Sequence, residues 1–551
     1  MNEENFIKLF EDSFRKHFDL KAFTDYGTPI AFTYGQVAEE IEKLHILFEE
    51  SKIKPGDKIA VIGKSNSHWC IAYMAAVTYG AIIVPILQDF NPDDVCHIIN
   101  HSESIFLFTS DLIWDTLDED KLPYLRAAFS LTDFSLKYQR ENEELDKFAS
   151  EAKKIFENKY PQGFKPEHIN YINLSDDNVL VLNYTSGTTG FSKGVMITGG
   201  NLSGNMTFAF KKLNLQAKDS MLSFLPLAHT YGSAFEFLYS LSAGCHITLL
   251  GKTPSPQILL KAFEEVKPVL IISVPLILEK IYRKKILPML DTSAMKLALN
   301  IPILNAQIYA KIRKKLIDAF GGNFIQIIVG GAPLNAEVED FLHKIKFPAS
   351  VGYGMTECAP LISFSFYPNY IPHSCGQVLE CMEVRIDSED PYNITGEIQV
   401  RGQNVMKGYY KNEEATRAAF TEDGWLKTGD LGTIDRNNNI FIRGRSKSMI
   451  LSSSGQNIYP EEIEAKLDNL PFVMESLVVE KSGKLIALVY PDYEAADSTG
   501  LSDSDLIEIM KKHKETLNGM VANYEKIAEI QLYPTEFEKT PKKSIKRYLY
   551  N

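Results

Sequence analysis

Between residues 181 and 198 the chain reads VLNYTSGTTGFSKGVMIT, a run of hydroxyl side chains and glycines around one lysine. Gly187, Gly190 and Gly194 let the backbone turn its N–H groups inward as an anion-binding concavity. Ser186, Thr188 and Thr189 add hydroxyl donors, and Lys193 adds a mobile cation. That chemistry suits the phosphates of a nucleotide. The commonest phosphate loop, G-x-x-x-x-G-K-[ST], does not fit: Ser192 precedes Lys193 and Gly194 follows it. Context differs too, because NVLVLN and GVMIT flank the loop as strand candidates. The next helix, capped by Asn201, begins only later. A P-loop instead passes directly into a helix whose N-terminus holds the phosphates.

The elements that must position this loop alternate between helix and strand for the first four hundred residues. YGQVAEEIEKLHILFEE carries apolar residues at helical spacing, and KPGDKIAVIG is a turn feeding a buried strand. WCIAYMAAVTYGAIIVPI reads as a buried helix, a stop at Gly80 and another strand. Such β-α-β alternation predicts an α/β fold of parallel-rich sheets covered by helices. Residues 110 to 170 are charge-rich and read as a solvated helical excursion. From about 437 the chain turns polar and turn-rich before a helix, the texture of a junction with a smaller lobe of about a hundred residues.

Composition narrows the function. A chain of 551 residues exceeds one core, and length suggests roughly three or four compact lobes. A net charge of −13 argues against nucleic acid as partner. The acidic N-terminus lacks the pattern of a secretory signal, and no run of 18 or more apolar residues appears, so no bilayer-spanning segment is expected. The segment 221 to 250 comes nearest but is interrupted by Pro226, His229 and Glu236. Cysteines 70, 96, 245, 358, 375 and 381 form no C-x-x-C pair, so reduced thiols and a cytoplasmic setting are expected. Membrane contact is at most peripheral, at the inner face.

YTSGTTGFSKGV resembles the signature of the adenylate-forming superfamily, which includes acyl-CoA synthetases, luciferases and peptide-synthetase adenylation domains. GGAPL (330 to 334), GYGMTE (352 to 357), GWLKTGDLG (424 to 432) and IRGRSKSMILSSSGQNIYPEEIE follow in that family's order. The resemblance implies a large N-terminal adenylation lobe, 1 to 443, and a small mobile α+β lobe, 444 to 551, joined by a hinge near Lys447. It also implies ATP, Mg²⁺ and coenzyme A as cofactor and co-substrates. Thr185 and Gly354 belong to the nucleotide set with the loop itself. Gly331, Ala332, Pro333 and Tyr353 would sandwich the adenine. Thr356 and Glu357 would serve the nucleotide and Mg²⁺, a hard ion that prefers oxygen. Asp430 would accept the ribose hydroxyls, with Arg445 as a second ribose or phosphate contact. Lys447 would absorb the hinge rotation, Gly455 would face the pantetheine arm, and His229 would orient the reacting carboxylate.

One element departs from the pattern. The family's C-terminal lysine usually sits three residues before an arginine, and counting back from Arg547 that position is Ser544. A one-residue slip delivers Lys543; Lys546 is the other neighbouring cation; alternatively adenylation relies on the large lobe alone. VPLILEKIY (274 to 282) and SSSGQNIYPEEIE are most similar to long-chain fatty acyl-CoA synthetases. A medium- or long-chain fatty acid is therefore the expected acid. An acyl-AMP ligase serving a carrier protein, a luciferase-like oxidative enzyme and a non-catalytic nucleotide-binding homologue are the alternatives.

Overall fold

The computed structural model describes residues 5–141, 143–185, 193–251, 255–290, 292–451, 456–481, 483–540 and 544–550. Its largest sheet among these residues has eight strands. Their order is Gly408–Tyr409, Lys193–Thr198, Val179–Thr185, Ile82–Ile86, Lys58–Ile62, Ser104–Thr109, Ala127–Ser130 and Leu136–Gln139. The run from Val179–Thr185 to Ala127–Ser130 is parallel, and the outer strands pair antiparallel. Parallel strands are covered on both faces, which is why IAVI and IVPI read as unbroken apolar runs. The covering helix Ser67–Tyr79 is apolar all round. It starts at Asn66, whose side chain accepts the Trp69 N–H, and stops at Gly80, in the left-handed region at φ 93°.

A second sheet orders Leu270–Ser273, Gln326–Val329, Ala349–Gly354 and Leu361–Phe364, the first three parallel. Its strands deliver 330–333 and 354–357 at their carboxyl ends, where open α/β sheets bind ligands. A third, antiparallel sheet joins Met382–Asp387, Gly396–Gly402, Leu426–Ile434 and Ile440–Arg445. One continuous core runs from Phe6 to Ile440. Residues beyond it form separate cores, around Ile463, Leu467 and Val478 and around Leu477 and Phe537. There Val473–Lys481, Lys484–Pro491 and Glu529–Leu532 make a three-stranded sheet, with helices Pro460–Leu467 and Asp503–Met520.

Two expectations need correction. Asn201 is not the cap: the helix Gly199–Lys212 starts at once after the strand, capped by Thr198. Asn201 occupies the reciprocal position, its Oδ1 accepting the Thr198 N–H at 2.9 Å. The charged stretch 110–170 is not wholly an excursion, because Ala127–Ser130 and Leu136–Gln139 extend the large sheet. Those strands are four residues each, too short for periodicity to rise above the charged flanks. The apolar segment 221–250 is interrupted as expected, divided among strands Ser220–Ser223 and His246–Leu249 and short helical turns that include the π-helical Ser233–Tyr239. Among the described residues no helix is long and apolar enough to cross a membrane.

Candidate active site

A single cavity of about 2460 Å³ collects the motifs from all three large sheets. Thr185, Lys193, His229, Gly331, Ala332, Pro333, Tyr353, Gly354, Thr356, Glu357, Asp430, Arg445 and Lys447 all line it. Ser186, Gly187, Thr188, Thr189, Gly190, Gly455 and Lys543 lie outside the described residues.

The loop bearing the phosphate motif is anchored by its own hairpin. Thr185 and Lys193 face each other in the antiparallel register, so the loop's two ends are fixed across the ladder. Lys193 Nζ then lies 4.8 Å from the ring centroid of Tyr409, on the neighbouring strand. The Tyr409 hydroxyl donates to Glu357 Oε1 at 2.9 Å, and Glu357's own carbonyl accepts the Met406 N–H at 2.8 Å. Burial first, and Glu357 second, push the Tyr409 phenol well above its ordinary value, so it stays a donor. Lysine, aromatic ring and carboxylate thus form a chain along the wall.

Asp430 and Arg445 are direct cross-strand partners, and Arg445 Nε reaches Asp430 Oδ1 at 3.1 Å. Tyr353 Oη donates to Asp430 Oδ2 at 2.7 Å. The aromatic face expected for the base and the carboxylate expected for the sugar are therefore joined. Burial pushes the Asp430 carboxyl up, opposed by the Arg445 charge and the Tyr353 hydrogen bond. Nearby, Glu397 Oε1 accepts the Gly429 N–H at 3.0 Å, which fixes the turn at Gly429, φ 73°. Ser446 N–H donates to the Gly429 carbonyl at 2.9 Å, so this turn and the one carrying Lys447 are tied together.

Under the 330–333 loop lies Tyr231, whose hydroxyl donates to the Ile328 carbonyl at 3.0 Å. A Cβ at Gly330 would come 2.9 Å from its ring, so the ring and the first glycine require each other. Gly331 is a glycine for another reason, its φ of 86°. His229 begins the short helix Thr230–Gly232, its Nδ1 accepting the Tyr231 N–H at 3.3 Å.

Sequence reading missed Tyr409, Tyr231, Glu397 and Gly330 as parts of the wall. For Gly330 the signal was present in GGAP; for the two tyrosines only tertiary contact reveals the role. The C-terminal tail also lines the cavity, through Ser544, Lys546 and Arg547. Arg547 pairs with buried Glu464, and Lys546 Nζ lies 3.5 Å from Glu538.

Known proteins resemble this chain in sequence and in fold. "Long-chain-fatty-acid--CoA ligase FadD15" of Mycobacterium bovis is 26% identical over 560 residues, covering 94% of this chain and 89% of its own length. The ATP-bound MatB of Rhodopseudomonas palustris superposes with a TM-score of 0.77 at 22% identity, over 99% of this chain and 98% of that one. The AMP complex of O-succinylbenzoate Coenzyme A Synthetase (MenE) from Bacillus subtilis gives 0.74 at 20%, over 98% and 97%. The family model for the AMP-binding enzyme matches residues 10–410, and the chain belongs to that family, the adenylate-forming acid–CoA ligases.

Proposed function

We propose that the protein activates a medium- or long-chain fatty acid with ATP and transfers the acyl group to coenzyme A, releasing AMP and pyrophosphate. One observation supports this reading: the cavity lined by the residues expected for the nucleotide is also lined by the apolar Phe224, Leu225, Phe235, Leu259, Phe263 and Ile277. Each methylene buried there contributes about 0.8 kcal/mol, so affinity climbs with chain length. The long-chain-fatty-acid relative supports the same acid.

In this reading Tyr353 stacks on adenine and Asp430 accepts the ribose hydroxyls. Lys193 and the loop from Thr185 to Gly190 hold phosphate oxygens. The fatty carboxylate, oriented by His229, attacks the α-phosphorus as the bond to pyrophosphate breaks. Positioned cations stabilise the spreading charge. Glu357 and Thr356 offer the oxygen donors that Mg²⁺ prefers, and the ion would add charge neutralisation at the phosphates when bound.

The thiol of coenzyme A then attacks the activated carbonyl, and AMP departs. Residues 444 to 551 would turn against 1 to 443 about Lys447, bringing Gly455 to the pantetheine path. Lys543 is our candidate for the missing tail cation, with Lys546 its neighbour.

The test is coenzyme A-dependent AMP release with saturated acids from acetate to stearate, combined with hydroxamate trapping with and without coenzyme A. Activity should rise from octanoate upward and need the thiol for turnover. A maximum at acetate, or trapping without any thioester product, overturns the assignment.

A further inference from the structure

The hairpin that carries the phosphate loop is gripped from behind. Tyr184 and Gly194 are cross-strand partners, one step behind the Thr185–Lys193 pair at the loop's two ends. Tyr184 is buried, and a Cβ at Gly194 would come 3.1 Å from its ring, so ring and glycine pack directly. The Tyr184 hydroxyl meets a group that the proposed chemistry does not use: His101, whose Nδ1 lies 2.7 Å from Tyr184 Oη. His101 sits in the last turn of helix Pro92–Ser102, which packs against strands Ile82–Ile86 and Ser104–Thr109 of the same sheet.

The same helix end holds the strand on the hairpin's other side. The Tyr410 N–H donates to the Gly194 carbonyl at 2.8 Å, and the Tyr410 ring stands edge-on to His101 at 5.9 Å. Tyr410 Oη donates to Glu103 Oε2 at 3.4 Å, and Lys411 pairs with Glu103 Oε1 at 2.8 Å. Lys411 Nζ also donates to the His101 carbonyl at 3.3 Å. His97 stacks on the His101 ring at 5.7 Å, and Lys58 lies 5.5 Å from the Tyr410 ring. Two phenols, one carboxylate, two lysines and a second imidazole thus surround His101 among the described residues. Burial first, then His97 and Lys411, push the His101 imidazole below its ordinary value, opposed by Glu103. Burial pushes the Tyr184 phenol up, so it keeps its proton.

We propose that His101 is a positioning residue for the phosphate loop: its Nδ1 lone pair accepts the Tyr184 O–H and holds the strand that enters the loop. A protonated ring has no lone pair, and the Tyr184 O–H then loses its acceptor inside the fold. Nucleotide use should therefore weaken as pH falls through the imidazole range. The inference rests on the loop's reading as the phosphate site and extends it to a residue outside every motif.

The test is ATP–pyrophosphate exchange by the whole protein between pH 5.5 and pH 8.5, with the best acid of the acetate-to-stearate series. His101→Phe and Tyr184→Phe each remove the hydrogen bond. Each should raise the KM for ATP about fivefold at pH 8 and leave that for the acid within twofold. The double variant should be no worse than either single one, since both break one bond. His101→Asn keeps an acceptor oxygen near the Nδ1 position and cannot titrate. It should bring the KM for ATP at pH 8 back to within twofold of the parent, and the parent-to-Asn ratio should climb as pH falls. MgATP binding by calorimetry, which needs no acid, should show the same order, with melting curves to confirm folding. Additive losses, equal effects on both KM values, or a ratio flat in pH overturn the proposal. Lys193→Ala separates the two possible failures. If it keeps the parent's KM for ATP, the phosphate reading falls and this inference with it; if it alone suffers, the loop stands and the brace does not.

Discussion

Replacing Asp430 with asparagine keeps the shape of the side chain and removes its charge. In the structure this buried carboxylate already accepts Tyr353 Oη at 2.7 Å and is ion-paired with Arg445, whose Nε lies 3.1 Å from Oδ1. Its remaining lone pairs are the ones proposed for the ribose. Asparagine retains one acceptor oxygen but offers an NH₂ donor where the other stood, so one charge-assisted hydrogen bond is lost. Such a bond contributes roughly 2 kcal/mol, which corresponds to about a 30-fold fall in kcat/KM for ATP. Stability should change little. The Arg445 side chain is 72% exposed, so its pair contributes weakly, and removing a buried charge relieves a desolvation cost. The assay is ATP–pyrophosphate exchange against ATP concentration at saturating acid, with a melting curve alongside. A kcat/KM for ATP within threefold of the parent, in a folded variant, would show that Asp430 does not hold the ribose.

Gly354→Ala would put a Cβ 2.3 Å from the Pro360 carbonyl oxygen, forcing backbone to move beside Tyr353. A fall of several degrees in Tm with at least tenfold weaker nucleotide use is expected; an unaltered melting curve contradicts it. Burial pushes the Glu236 carboxyl up to about 8, where it accepts Ser223 Oγ and the Leu225 N–H. The folded state holds that proton more tightly than the unfolded chain, so this stabilisation is complete below the ordinary carboxylate range and is lost as pH rises toward about 8. Glu236→Gln should therefore lose less Tm than the parent between pH 5 and pH 8.5, and equal losses refute the reasoning. Arg547→Met strands Glu464, which is buried and also accepts the Val478 N–H at 2.6 Å. Denaturant unfolding should show a loss of about 3 kcal/mol, confined by limited proteolysis to the C-terminal region; a loss below about 1 kcal/mol argues against a structural ion pair.

How much of this was legible beforehand depended on where the information resides. Lys193 stands in a motif whose residue types suit phosphate, Asp430 and Tyr353 stand in motifs singled out by the resemblance to the adenylate-forming superfamily, and the cavity gathers all three. The parallel-rich architecture was legible because buried strands such as 58–62 and 82–86 must be apolar throughout. Tyr409 was not legible, since its contacts to Lys193 and Glu357 arise only when three distant segments meet. Tyr231 was hidden for the same reason, its partner being the strand before Gly330. Asn201 looked like a cap because caps and their reciprocal residues share a side-chain chemistry; only backbone geometry separates Thr198 from it.

The Tyr409 ring has one more effect. It stands between Lys193 and Glu357, offering its π face to the first and its hydroxyl to the second. Left in contact, ammonium and carboxylate would quench each other. The aromatic spacer holds the two side chains apart on the cavity wall, so neither is taken up in a direct pair with the other.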